Sequence, residues 1–228
     1  NTATDVDITK ATDLTAPKIT VDAPDNSNDN TPTITGTTDA PAGSVVTIVV
    51  TDSSNKVQTF TAVVQPGGTY RADVPAALAE GNYVAKATVK DPAGNEATAT
   101  DPGSIDTTNP TVVIDDCDLS VQEATGASVS GIIKVSDNNS VASITVAGKD
   151  VTAATSANPV LIATDKGTLK ITGYNAATGV VSYTYTEADK AQNHSAGDNS
   201  VRDSFVVVVR DKAGNTAMDS LDVTITDT

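Results

Sequence analysis

Aromatic side chains are scarce in this chain. Its 228 residues include no Trp, two Phe and five Tyr, together 3% of the sequence. A core can still form, because 38% of the residues are apolar, mostly Val, Ile and Ala. Small and β-branched side chains of this kind suit thin β-sandwiches rather than deep pockets. The shortage also argues against sugar recognition by ring stacking. Cys117 is the only cysteine, so no internal disulfide can form. With His194 the only histidine, a His/Cys zinc site is excluded as well. Positive charge is also short: 14 Lys and Arg stand against 29 Asp and Glu, a net charge of −15. That balance repels nucleic acids and anionic membrane surfaces. No apolar run approaches the roughly 20 residues of a membrane-spanning helix; the longest dense one is Phe205 to Val209. No signal peptide precedes Asn1, and an internal fragment would lack one whatever its destination.

Catalytic phrases are missing too. There is no G-x-S-x-G elbow, no G-x-x-x-x-G-K-[ST] loop and no G-x-G-x-x-G turn. His194, beside Ser195 and near Asp198, reads as a solvated loop histidine rather than the base of a triad. Cys117 lies between Asp116 and Asp118 with no adjacent base, so it reads as unreactive. Lys18 and Lys134 have polar neighbours that suit the surface, not a buried isopeptide cross-link. No enzymatic activity is expected.

One short phrase occurs twice. Asp91-Pro-Ala-Gly-Asn95 and Asp211-Lys-Ala-Gly-Asn215 are both D-x-A-G-N, about 120 residues apart. Each follows an apolar, β-branched run and precedes a stretch rich in Thr, Ala and Asp. Proline-bounded linkers recur as well, as Asp13-Leu-Thr-Ala-Pro17 and Asp106-Thr-Thr-Asn-Pro110. Fixed punctuation at a domain-sized period predicts tandem modules in a longer array. Residues 1–15 read as the end strand and linker of a preceding module, 16–106 as one module and 107–228 as a longer one.

The expected fold class is all-β, with two tandem Ig-like antiparallel sandwiches joined by a short Pro-containing linker. Period-two alternation between turn signals predicts strands at 18–22, 31–37, 44–51, 57–64, 69–74, 83–90 and 96–100 in the first module. Short strands at that density are the signature of an immunoglobulin-like sandwich. The second module predicts strands at 111–115, 128–136, 141–147, 160–164, 168–174, 180–186, 204–210 and 217–226. Residues 76–80 allow one helical turn at most. Tyr83, after Leu78-Ala-Glu-Gly-Asn, reads either as a tyrosine corner tying a loop to backbone or as a plain strand tyrosine. The polar, aperiodic residues 187–200 form a long loop, the kind of segment that often carries function.

The phrases Thr33-Ile-Thr-Gly-Thr-Thr-Asp-Ala-Pro-Ala-Gly-Ser-Val-Val-Thr, Gly68-Thr-Tyr and Leu78-Ala-Glu-Gly-Asn-Tyr resemble bacterial Ig-like extender repeats. So does the close of that module, Ala-Thr-Val-Lys-Asp-Pro-Ala-Gly-Asn-Glu-Ala-Thr98. In the second module Gly167-Thr-Leu-Lys-Ile-Thr-Gly-Tyr and Asp203-Ser-Phe-Val-Val-Val-Val-Arg-Asp-Lys-Ala-Gly-Asn resemble the VCBS/cadherin-like repeats of giant repeats-in-toxin adhesins, exported by type I secretion. The resemblance implies an extracellular, cell-surface extender of an adhesin that serves adhesion and biofilm formation. It implies a monomeric segment whose partners are the flanking modules of the same polypeptide, and Ca²⁺ at the linkers. The alternative is a ligand-binding module that contacts a glycan or a protein through the 187–200 loop.

Acidic loops give the calcium expectation its residues. Asp and Asn in turns can converge oxygens on a hard cation, although each is also simply a good turn former. Alternate loops of an antiparallel sandwich fall at opposite poles. On that logic the inter-module junction gathers Asp101, Asp106, Asp137 and Asp211, and Asp13 with Asp91 plays the same part at the first linker. The expected metal ligands are therefore Asp13, Asp91, Asp101, Asp106, Asp137 and Asp211. No EF-hand loop or nonapeptide β-roll repeat is present.

Overall fold

The computed structural model describes residues 13–115, 119–195 and 197–227. The predicted end strand within residues 1–12, and Cys117 with its two acidic neighbours, lie outside the described residues. The chain divides into two compact units, Asn1–Thr107 and Thr108–Thr228. Every regular element among the described residues is a β-strand. Lys18 and Lys134 are exposed, in line with the surface reading.

The first unit holds β1 (Thr33–Thr37), β2 (Val45–Thr51), β3 (Val57–Val63), β4 (Thr69–Asp73), β5 (Gly81–Lys90) and β6 (Glu96–Ile105). A four-stranded sheet runs β3-β2-β5-β6, and a two-stranded sheet pairs β1 with β4. Strand β2 reads Val-Val-Thr-Ile-Val-Val-Thr, and Val46, Ile48 and Val50 turn fully inward. They meet Ala85, Ala87 and Val89 of β5 and Ile34 of β1 in one core. Residues 18–22, predicted as a strand, make only isolated bridges, Ile19 to Thr38 and Asp22 to Thr35. In contrast β6 runs past the predicted end at 100 to Ile105, through Asp101, Pro102 and Gly103. Pro and Gly read as punctuation there, but β6 is the edge of its sheet, where a missing N–H is tolerated.

The second unit holds β7 (Thr111–Ile114), β8 (Ser120–Gln122), β9 (Ser128–Ser136), β10 (Val141–Val146), β11 (Lys149–Asp150), β12 (Val160–Ala163), β13 (Gly167–Asn175), β14 (Val180–Glu187), β15 (Ser200–Asp211) and β16 (Thr216–Thr226). Two five-stranded sheets, β11-β10-β15-β16-β8 and β12-β13-β14-β9-β7, close on a core that includes Ile133, Ile144, Leu169, Phe205, Leu221 and Val223. All pairings are antiparallel except β8 with β16. Strands β8 and β11 are too short for periodicity to betray them. Strand β15 begins at Ser200, four residues before the predicted start. Its early part hides a buried acid: Asp203 occupies a core position and accepts hydrogen bonds from Tyr185 Oη (2.8 Å) and Thr164 Oγ1 (2.6 Å).

Buried tyrosines lie over glycines in both units. Tyr70 stands directly opposite Gly36, Tyr83 opposite Gly103 and Tyr183 opposite Gly131. A β-carbon at any of the three glycines would clash with the phenol. Glycine thus opens the lane through which the ring crosses its neighbour strand, the arrangement known as aromatic rescue. Tyr70 Oη donates to the carbonyl of Thr20 and Tyr83 Oη to that of Pro24 (3.1 Å). Burial pushes the Tyr70 phenol up to about 12. Tyr83 thus ties a loop to backbone through its hydroxyl, although the carbonyl it reaches is 59 positions away along the chain. Its hydroxyl reaches across the missing side chain of Gly103 and ties down the segment before β1.

Candidate functional site

The repeated phrase is a tight hairpin in both units. Gly94 and Gly214 sit at φ of 95° and 96°, a region that favours glycine. In the first copy Asp91 Oδ1 accepts the Asn95 N–H (2.9 Å) and Oδ2 accepts Asn95 Nδ2 (2.8 Å). In the second, Asp211 Oδ1 accepts Gly214 N–H (2.6 Å) and Asn215 N–H (2.8 Å), and Oδ2 accepts Asn215 Nδ2 (2.8 Å). The aspartate thus fixes the rotamer of the asparagine. The Asn95 side-chain bond is the main cause that holds the Asp91 carboxyl below its ordinary range, against the opposing effect of burial.

The oriented asparagine grips the incoming linker. Asn95 Nδ2 donates to the carbonyls of Asp13 (3.0 Å) and Thr15 (3.4 Å). Asn215 Nδ2 donates to the carbonyl of Thr108 (3.3 Å). Thr15 and Thr108 occupy the same place in the recurring linker phrase, two residues after Asp13 and Asp106 respectively. The hairpin is therefore a linker latch, in addition to a turn.

The predicted metal ligands differ in their surroundings. Asp13 is exposed and accepts the Thr15 N–H (3.0 Å). Asp106 is buried, and its N–H donates to the Ser27 carbonyl (2.8 Å). Asp101 parts company with Asp106. It lies within β6 opposite Ala85, and its Oδ2 accepts the Ala23 N–H (2.8 Å). Five residues of extended strand separate the two, roughly 16 Å. The prediction placed Asp101 after a strand end, whereas the edge strand continues through it. Asp137 and Asp211 do come together: each offers a carboxylate oxygen within 4.8 Å of the other's. Asp137 Oδ2 accepts the Asn139 N–H (2.7 Å), but its Oδ1 is buried and has no hydrogen-bond partner among the described residues. Two hard oxygen donors, one of them unsatisfied, suit a hard cation better than any neutral partner.

Sequence reasoning missed the other end of the second unit. Glu187, 3% exposed, accepts backbone N–H groups from Thr125 (3.3 Å), Gly126 (3.1 Å), Asp189 (2.9 Å) and Lys190 (3.4 Å). Burial pushes its carboxyl up, but the four amides together hold it below the ordinary value. Glu123 Oε2 accepts the Gln192 N–H (2.8 Å) and faces His194 Nε2 at 2.9 Å. The His194 side chain is only 14% exposed, so the solvated reading is corrected. Its single-letter context, a polar loop with no periodicity, carried no sign of a buried glutamate 71 positions away. The His194 bond lowers the Glu123 carboxyl and raises the imidazole. The 187–200 loop is thus fastened by two buried glutamates. It borders a shallow cleft lined by Asn193, Ser195, Asp198, Ser200 and Arg202, with no aromatic wall. In the first unit the corresponding task falls to Asp52, which accepts N–H groups from Ser54 (3.0 Å), Lys56 (2.9 Å) and Ala79 (3.1 Å). The Ser54 hydroxyl leads the contacts that bring its carboxyl down to about 2.

Residues 6–107 match the bacterial Ig-like domain family. No curated protein matches the chain. Among solved structures, the chain is similar to a tetra-tandem repeat from the extending region of a large adhesion protein, at 21% identity and a TM-score of 0.36, covering 92% of this chain and 49% of that one. It is similar to a Ca²⁺-stabilised, ice-binding adhesin of an Antarctic bacterium at 20% identity and a TM-score of 0.45, covering 95% and 50%. A protocadherin fragment aligns at 12% identity and a TM-score of 0.41, covering 94% and 48%. The chain spans about half the length of these structures.

Proposed function

We propose that this chain is an extender segment of a large, calcium-stabilised bacterial surface adhesin of the repeats-in-toxin type. Its role is mechanical: it sits outside the cell, projects a distal binding region for adhesion and biofilm formation, and catalyses nothing. Its partners are the neighbouring modules of the same polypeptide. The Ig-like match over residues 6–107 supports the class, and the paired linker latches support the role.

The observation that carries the calcium reading is the buried, unpartnered Oδ1 of Asp137 beside Asp211. A buried anionic oxygen without a partner is costly, and a divalent cation removes that cost. Asp106, buried at the end of its own unit, remains among the proposed ligands. Ca²⁺ takes six to eight oxygens, so backbone carbonyls or water would complete the shell. At the first linker Asp13 and Asp91 would act likewise, whereas Asp101 lies five strand residues from Asp106 and serves the Ala23 N–H with one of its oxygens. A chain without disulfides gains from such a staple. The test is thermal melting and small-angle scattering with Ca²⁺ and with chelator. Calcium should raise the melting temperature and narrow the distribution of inter-unit distances; identical curves would remove the calcium part of the proposal.

A further inference from the structure

The cluster at the far end of the second unit has a chemistry of its own. Three acids face one histidine. Glu123 follows β8, Asp227 follows β16, and Asp198 belongs to the same loop as His194. Glu123, His194 and Asp227 each bring a polar side-chain atom within 4.8 Å of the others. The strands hold the acids in place: the Glu123 N–H donates to the Thr226 carbonyl (3.0 Å) and the Asp227 N–H to that of Asn199 (2.9 Å). His194 is the one cationic group of the set, and it comes from the loop.

We propose that His194 is a protonation-gated latch, which fastens the 187–200 loop to the end of the second unit when the imidazole is charged and slackens it when the proton leaves. The Glu123 and Asp227 carboxylates stand close enough to repel, with Asp198 farther off in the loop, and an imidazolium among them turns that repulsion into attraction. The Gln192 N–H shares Glu123 Oε2 with His194, so imidazole and loop backbone are docked on one oxygen. Neutral imidazole keeps a hydrogen bond to Glu123 but loses its charge. His194 Nδ1 is buried and bonds to nothing among the described residues, so the Glu123 carboxylate is the ring's one hydrogen-bond partner among them. The direction follows from the raised imidazole. Latching is complete below the ordinary histidine value of 6.5 and is lost as pH rises through the higher folded value. The loop is therefore tight in mildly acidic surroundings and loose in alkaline ones. The Glu187 anchor takes no part, since its partners are backbone amides.

The test uses the full, untagged chain, in which the only histidine gives an unambiguous NMR signal. A pH titration of the ring should give a midpoint above 6.5, the ordinary value, and Glu123→Gln should bring it back towards that value. Tryptic cleavage after Lys190, compared at one pH below the midpoint, should be several-fold faster in His194→Gln than in the parent, with the cores of both units unchanged in melting. A midpoint at or below the ordinary value in the parent, or equal cleavage of parent and His194→Gln, would overturn the latch.

Discussion

The two units are alike where a linker comes in and unlike where their loops are fastened at the other end. Coming in, each uses the same five-residue hairpin, the same aspartate to orient an asparagine, and the same asparagine to hold a threonine carbonyl. At the other end the first unit is economical. Asp52 alone organises its hairpin, and Glu80 takes the N–H and hydroxyl of Thr107 at 3.1 and 2.8 Å. The second unit has a longer loop and uses two glutamates and a histidine to hold it. The feature that touches the preceding linker recurs in both units, while loop anchorage differs between them.

The comparison breaks most visibly through the glycine lanes. Gly103→Ala should destabilise the first unit by about 3 kcal/mol, and Gly131→Ala the second by a similar amount, because each forces a buried phenol aside. Calorimetry should show each substitution lowering one transition and sparing the other. A coupled loss would mean that the units do not melt independently. Next in size is Glu187→Ala, which leaves buried backbone amides unsatisfied and should cost the second unit about 2 kcal/mol.

Acid should then separate the units by degree. Carboxyls held below their ordinary values stabilise the fold above those values and release that stability as pH falls through the folded ones. In the second unit Glu123 and Glu187 begin to lose their contribution below 4.5. In the first, Asp52 starts lower, below 3.8, and loses its contribution as pH falls towards about 2. The second transition should fall first in a pH series of melts. The smallest effect belongs to the latches. Asn95→Ala and Asn215→Ala should each cost about 1 kcal/mol or less. Both should speed amide exchange in the linker that follows Asp13 or Asp106. Acceleration at one linker only would show that the shared hairpin does different work in the two units.

Much of this was legible in the sequence because the signals are local. Val46, Ile48 and Val50 declare their strand by alternation, and D-x-A-G-N declares its turn by composition. What escaped depended on partners far along the chain. Asp101 reads as the end of a strand until the edge position of β6 excuses Pro102. Asp203 looks like a turn residue until Tyr185 and Thr164 satisfy it inside the core. His194 looks solvated until Glu123 is brought beneath it. Of the expected ligands, Asp137 and Asp211 were legible as neighbours, because alternate loops of an antiparallel sandwich share a pole, and their carboxylates do approach.

The central claim is that the buried carboxylate oxygen of Asp137 awaits a cation. Calorimetric titration of Ca²⁺ into the parent chain and into Asp137→Asn tests it most directly. The amide replacement keeps the size of the side chain and an oxygen for the Asn139 N–H. The account predicts saturable binding in the parent, at least ten-fold weaker binding in the variant, and no loss of melting temperature in the variant when both are in chelator. Equal calcium affinity in parent and variant, or no binding in either, would contradict it.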